Sequence, residues 1–214
     1  MIPRCLRFLI ALLAPSLPVA GAVRAETTEQ GIVLENDQVR AVFSARANYT
    51  LTELRRLPNG PNVLAYCLLG YTVEGARYWF QDNKTDDFGL RPVATRVEEG
   101  LEAVTLTVTY PAAGEAKHFA VTKTHTLRAG SAVLESKYRL EAVREIALRG
   151  GLSLPLIRFG VGLSNVVVPQ ADGSLTLGEA GVVQRVAGAP RWVGALAPDS
   201  GEGVVRISSG RTVT

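Results

Sequence analysis

The sequence predicts an all-β fold, an antiparallel β-sandwich, from three observations. Within residues 101–110 apolar side chains alternate with threonines, and residues 38–46 repeat the alternation, which is typical of half-buried strands. Turn-forming residues interrupt the apolar runs at short intervals, as in Pro58-Asn59-Gly60-Pro61. No long segment has the 3.6-residue periodicity of an amphipathic helix. Short alternating strands separated by turns indicate two packed antiparallel sheets.

The predicted strands follow one another along residues 26–214, which we interpret as a single domain. Residues 134–148 are rich in glutamate and arginine, but the spacing of Tyr138, Val143 and Ile146 favours strands over a helix. The predicted strands are residues 31–35, 38–46, 51–57, 71–80, 92–98, 101–110, 117–127, 132–141, 144–149, 163–168, 182–187, 192–197 and 203–208.

One predicted hairpin can be placed in register. Residues 117–127 and 131–141 flank Ala129-Gly130, which suits a two-residue turn. The resulting pairs are Phe119 with Leu140, Val121 with Tyr138, and His125 with Leu134. This register gathers most apolar side chains on one face, whereas a slip of one residue scatters them. The pairing of Lys123 with Ser136 is a polar exception on the apolar face.

Residues 1–25 are predicted to be a secretory signal peptide. A short basic segment precedes the apolar run at residues 8–14, which is well below the ~20 residues that span a membrane. Small residues allow cleavage after Ala22 or after Ala25, and the polar segment that begins at Glu26 favours Ala25. An uncleaved anchor is the alternative. We therefore expect a periplasmic or extracellular protein whose mature chain has no membrane span.

The net charge of +3 belongs to this leader. Its three arginines, Arg4, Arg7 and Arg24, are accompanied by no acidic residue, so residues 26–214 hold 20 basic and 20 acidic residues. Cleavage after Ala22 would keep Arg24 and give a charge of +1. A neutral body lacks the basic excess of nucleic-acid-binding proteins. Cys5 leaves with the leader, and Cys67 is then predicted to be a buried apolar residue without a disulfide partner.

Motifs for catalysis or cofactor binding are absent from the sequence. It has no glycine-rich phosphate loop and no Gly-x-Ser-x-Gly elbow. Its two histidines lie far from any cysteine pair, so no zinc motif is present. We expect no cofactor and no metal. In the predicted hairpin His125 lies among core neighbours, and His118 lies on the polar face beside Glu141, as a solvated histidine would.

The most suggestive segment runs from Tyr78 to Phe88, where aromatic residues lead directly into an acidic and amide-rich stretch. Aromatic rings cover the apolar face of a sugar, and carboxylates and amides bond its hydroxyl groups. The alternative is a strand end with core aromatics followed by a solvated loop. The spacing of the aspartates does not match an EF-hand calcium loop. The predicted sugar-binding residues are Arg77, Trp79, Asp82, Asp86 and Trp192.

Several stretches resemble the galactose mutarotase-like β-supersandwich. Residues 32–43, with Glu35-Asn36-Asp37 at a turn, are followed by residues 51–54 and 59–64 in an order similar to the opening of that family. Residues 121–127 with 134–138 resemble its central hairpin, and residues 191–195 with 203–205 resemble a later strand pair. The chain is short for a full supersandwich, so a C-terminal truncation or a larger parent protein is an alternative.

The resemblance implies an exported carbohydrate-binding domain with an open concave sheet. It also leaves open an enzyme, either a sugar epimerase or a polysaccharide lyase or hydrolase, in which His118 and His125 are the catalytic candidates. Epimerases of this family use histidines with an acidic base, but here the two histidines lie on opposite strand faces and no base can be placed. A structural module of the cell envelope is the third alternative.

Overall fold

In the computed structural model the described residues are 21–73, 76–81, 91–113, 117–146, 152–159, 163, 165–170, 172, 174–179, 192–196 and 203–207. Their regular secondary structure is almost entirely β-strand, and every pairing between these strands is antiparallel, which confirms the predicted all-β class. One short 3-10 helix, Ala45–Ala47, joins two of the strands. The strands are β1 (Arg24–Thr28), β2 (Gly31–Glu35), β3 (Val39–Ser44), β4 (Thr50–Arg56), β5 (Leu64–Val73), β6 (Ala76–Gln81), β7 (Ala94–Glu99), β8 (Ala103–Tyr110), β9 (Phe119–Arg128), β10 (Leu134–Ala142), β11 (Leu152–Phe159), β12 (Asn165–Pro169), β13 (Leu175–Glu179), β14 (Trp192–Leu196) and β15 (Gly203–Ile207).

Two four-stranded sheets share the main hydrophobic core. Strands β1 to β4 form one sheet, and β7 to β10 form the other, each with chain neighbours as sheet neighbours. Their buried positions alternate with half-exposed ones, as in β3 and β8, because successive side chains of a strand point to opposite faces. The core combines Ile32, Leu34, Ala41 and Phe43 from the first sheet with Val104, Leu106, Val108, Val121 and Leu127 from the second.

The predicted register of the β9–β10 hairpin is wrong by two residues. Leu127 pairs with Leu134 and Phe119 with Ala142, and residues 129–133 form the connection in place of a two-residue turn. Contacts with other hairpins hold this longer connection, since the backbone N–H of Ala129 donates to the carbonyl of Glu102 at 2.9 Å. Because a shift of two preserves the alternation of faces, the apolar face predicted for β9 is nevertheless buried.

Two other strand predictions differ from the structure. Residues 71–80 are not one strand, because they span the end of β5 and the beginning of β6. The described part of the segment predicted at 144–149, residues 144–146, is not strand, and residues 182–187 lie outside the described residues. Strands β1, β11 and β13 were not predicted. In β11 the register with β5 shifts between Ser153 and Leu156, around Pro155, which has no N–H to donate.

The remaining described strands form two further sheets, in the orders β11-β5-β6 and β13-β12-β14-β15. The side chain of Asn62 connects the beginning of β5 to β4. Its oxygen accepts hydrogen bonds from the backbone N–H groups of Leu54 and Leu64, and its nitrogen donates to the carbonyl of Thr52. Cys67 lies in β5 opposite Ile157. Within the described residues, no helix has the length and apolar character needed to span a membrane.

Candidate functional site

Buried polar side chains lie in the turn before β9, along β9 and on the neighbouring strand β8. His118, Lys123 and His125 are each only 2–3% exposed, and Tyr110 of the neighbouring strand β8 is 3% exposed. Lys123 and His125 are buried because they fall on the inward positions of β9, between Val121 and Leu127. Buried polar groups are costly unless they are bonded, so this cluster is the first candidate for a functional site.

His125 lies between the two sheets and is neutral. Its ring centroid is 4.6 Å from that of Phe43 on the opposite sheet and 6.1 Å from that of Tyr138 on β10. Its Nδ1 is 2.8 Å from Oγ of Ser136, its cross-strand partner. Burial, and then the charge of Lys123, lower the pKa of His125 from 6.5 to about 3. The ring is therefore uncharged at neutral pH.

Lys123 and Tyr110 form the second half of the cluster. The Lys123 Nζ atom lies 4.8 Å from the centroid of the Tyr110 ring, which is a cation–π geometry. The Tyr110 hydroxyl donates to the carbonyl of Asn48 at 2.6 Å, and burial raises the pKa of that hydroxyl. Asn48 has a left-handed backbone with φ of 52°. Tyr110 therefore ties β8 to the loop that joins β3 and β4.

The cluster is better suited to holding the sandwich together than to acid–base catalysis. Ser136 is exposed, and its Oγ contacts the His125 ring as a serine nucleophile contacts its histidine base in a catalytic triad. A general base works best with a pKa near the operating pH, and a pKa of about 3 makes His125 a weak base at neutral pH. Among the described residues, no three His, Cys, Asp or Glu side chains are grouped as metal ligands.

Both predicted catalytic histidines are buried. His125 lies in the core, as its predicted strand face implied. The prediction that His118 is a solvated surface histidine is wrong, because His118 is 3% exposed in the turn before β9. The main-chain carbonyl of His118 accepts a hydrogen bond from the backbone N–H of Val143, just beyond the end of β10. This bond connects the turn before β9 to the end of β10. Burial of both rings counts against a sugar epimerase mechanism that uses them.

The predicted sugar-binding residues lie on two different sheets or outside the described residues. Arg77 and Trp79 belong to β6, the edge strand of the described β11-β5-β6 sheet. Trp79 pairs with Gly70, and Arg77 pairs with Thr72. Trp192 begins β14 and pairs with Ile207 of β15. Asp82 and Asp86 lie outside the described residues. The structure thus brings Arg77 and Trp79 together on one strand.

The chain was compared with protein-family models and with curated proteins. No protein-family model matches it, and no curated protein matches it. The fold defines the chain as an antiparallel β protein with a two-sheet sandwich.

Sequence reasoning missed the buried polar cluster, although its signal was present. Lys123 occupies an inward position in the alternation of β9, which the predicted hairpin showed only as an exception. The shifted register pairs His125 with Ser136 and Lys123 with Tyr138, so the polar side chains have partners that the predicted register did not provide. A charged residue on the apolar parity of a strand is thus the signal that identifies such a cluster.

Proposed function

We propose that this protein is exported and binds carbohydrate through β6 and the residues that follow it. The observation that carries the proposal is the position of Trp79 in the aromatic run of β6. It lies in the edge strand of the described β11-β5-β6 sheet and leads directly into the acidic and amide-rich stretch from Gln81 to Asp87. An aromatic residue beside carboxylates and amides is the combination that a sugar requires.

Two features of β6 support the proposal. Trp79 is opposite Gly70, which has no side chain to cover the neighbouring position of the sheet. Arg77 and Trp79 occupy positions of the same parity in β6. Arg77 would donate hydrogen bonds to sugar hydroxyl or carboxylate oxygens, while Trp79 would stack on the ring.

The charge balance and the resemblance to mutarotase-like domains support the same proposal. Residues 26–214 have equal numbers of basic and acidic side chains, which suits an uncharged ligand. The order of strands in the opening segment and the central hairpin is similar to that of galactose mutarotase-like proteins, whose members act on or bind sugars. In this proposal Asp82 and Asp86 bond the sugar hydroxyls, and Trp192 is a second platform.

Affinity electrophoresis through gels that contain single polysaccharides, together with a glycan array, tests the proposal on the exported protein. We expect retention by at least one glycan and a loss of affinity of about 10-fold, or about 1.4 kcal/mol, on Trp79→Ala. Tyr78→Ala is the matched control, because it removes the neighbouring aromatic side chain from the other parity of β6. Its affinity should stay within about 2-fold of the wild type.

The absence of retention by every poly- and oligosaccharide, with a folded circular dichroism spectrum, would overturn the proposal. Equal losses for Trp79→Ala and Tyr78→Ala would show that the strand is needed for folding and not that Trp79 stacks on a sugar. In that case Asp82→Asn and Asp86→Asn, which leave the aromatic strand intact, decide the matter: unchanged affinity in both variants would contradict binding by this segment.

A further inference from the structure

The first strand of the sandwich begins within the predicted leader. Strand β1 spans Arg24–Thr28, and its register places Arg24 opposite Glu35 and Ala25 opposite Leu34. Cleavage after Ala25, which the sequence favours, would remove the first two residues of this strand. Cleavage after Ala22 would leave the strand intact. The two cleavage sites therefore lead to different mature proteins, one with the whole of β1 and one without its first two residues.

The apolar contacts of β1 come from the residues between the two sites. Val23 and Ala25 are half-buried and pack against the main core cluster. The rest of the strand, Glu26, Thr27 and Thr28, is polar and exposed. A chain that began at Glu26 would keep an edge segment with no apolar side chain directed to the core. Edge strands are held by such side-chain contacts as well as by backbone hydrogen bonds.

Arg24 also has a defined partner in the body. Its Nη2 donates to Oε1 of Glu35 at 2.6 Å, and Nη1 of Arg40 donates to the other carboxylate oxygen at 2.6 Å. The Glu35 side chain is only 15% exposed, so its carboxylate is bonded on both oxygens and largely covered. Cleavage after Ala25 would remove Arg24 and with it one of the two arginine partners of Glu35.

The residues before Val23 fit the signal-peptidase pattern better than those before Glu26. The small residues Ala20 and Ala22 occupy the two positions that signal peptidase recognises, before the bond to Val23. The alternative site has the larger Val23 at the corresponding outer position.

We propose that the leader is removed between Ala22 and Val23, so that the mature protein begins at Val23 and keeps all of β1. The proposal rests on export, which is part of the proposed function, but it does not depend on carbohydrate binding. The mature chain then carries Arg24 and a formal charge of +1 instead of zero.

Expression of the full chain in an exporting bacterial host, followed by intact mass measurement and N-terminal sequencing of the exported protein, tests this proposal. We expect Val23 as the first residue. Two matched variants place valine, which is too large for the residue before the cleaved bond, at each site. We expect Ala25→Val to leave the Val23 terminus unchanged, and Ala22→Val to block processing or move it.

A mature terminus at Glu26, or blocked processing in Ala25→Val but not in Ala22→Val, would overturn the proposal while leaving carbohydrate binding intact. An uncleaved chain would overturn this proposal, and its retention in the cytoplasm would overturn export as well. A Val23 terminus with no glycan binding would support the processing site and remove the proposed function. The two proposals therefore fail separately.

Discussion

Asn36 in the turn between β2 and β3 connects the two sheets of the sandwich, and its replacement should be costly. Its side chain is 3% exposed. Oδ1 accepts from the backbone N–H groups of Gln38 and Val39, both at 2.8 Å. Nδ2 donates to the carbonyls of Arg128, at 2.6 Å, and Ser131, at 2.8 Å, in the β9–β10 hairpin. Every hydrogen-bonding position of the amide is therefore occupied.

The substitution Asn36→Asp distinguishes the two bonds that Asn36 accepts from the two that it donates. Aspartate still accepts from the turn, but it loses both donors and places an oxygen against two carbonyl oxygens. With about 1 kcal/mol for each lost bond and a further penalty for unpaired buried groups, we expect a loss of about 2–4 kcal/mol in the free energy of unfolding. Asn36→Ala removes all four bonds and should cost at least as much.

Urea unfolding followed by far-UV circular dichroism measures these losses as lower midpoints at an unchanged slope. Gln38→Ala is the matched control, because Gln38 donates to the same hairpin, at the carbonyl of Gly130, from a more exposed position at 2.7 Å. We expect the control to cost no more than about 0.5 kcal/mol. An Asn36→Asp protein within about 0.5 kcal/mol of the wild type would refute the reasoning.

Two further predictions concern the buried polar cluster. Because folded His125 has a pKa of about 3 against an ordinary 6.5, the unfolded chain binds a proton that the folded chain does not. Stability is therefore fully present above pH 6.5 and falls by up to about 1.4 kcal/mol per pH unit as the pH decreases towards 3. Urea midpoints at pH 7, 6 and 5 should fall less steeply in His125→Gln, and equal slopes would contradict the buried neutral ring. Tyr110→Phe should cost about 1–2 kcal/mol, because the Asn48 carbonyl loses its donor, and an unchanged urea midpoint would show that water replaces the hydroxyl without loss.

Much of the fold could be predicted from the sequence because alternation is a local property. The pattern of Val104, Leu106 and Val108 requires only that one face be buried, and these three residues are fully buried. The boundaries of β2 and β14 were predicted to within a residue for the same reason. The apolar run that begins β5 does not alternate, and Pro155 interrupts β11, so these two strands could not be identified from period-two patterns.

The candidate sites were predicted less completely. The aromatic run on β6 is visible in the sequence, but its position in an edge strand opposite Gly70 depends on which strand pairs with β5. The burial of His118 follows from the turn that Val143 closes, and no local pattern indicates that contact. The cross-strand partners in the polar cluster depend on the register of β9 and β10. The two-residue turn assumed from the sequence predicted that register wrongly by two residues.

The sequence by itself determined the all-β class, the inward parity of each strong strand and the location of the excess positive charge before residue 26. These properties follow from composition and from side-chain alternation, which neighbouring residues define. The tertiary structure decided the register of β9 with β10, the partners of Lys123 and His125, and the inclusion of Arg24 and Ala25 in β1. Each of these depends on contacts between residues far apart in the chain, such as Asn36 with Arg128, whose energies are comparable to the differences between competing registers.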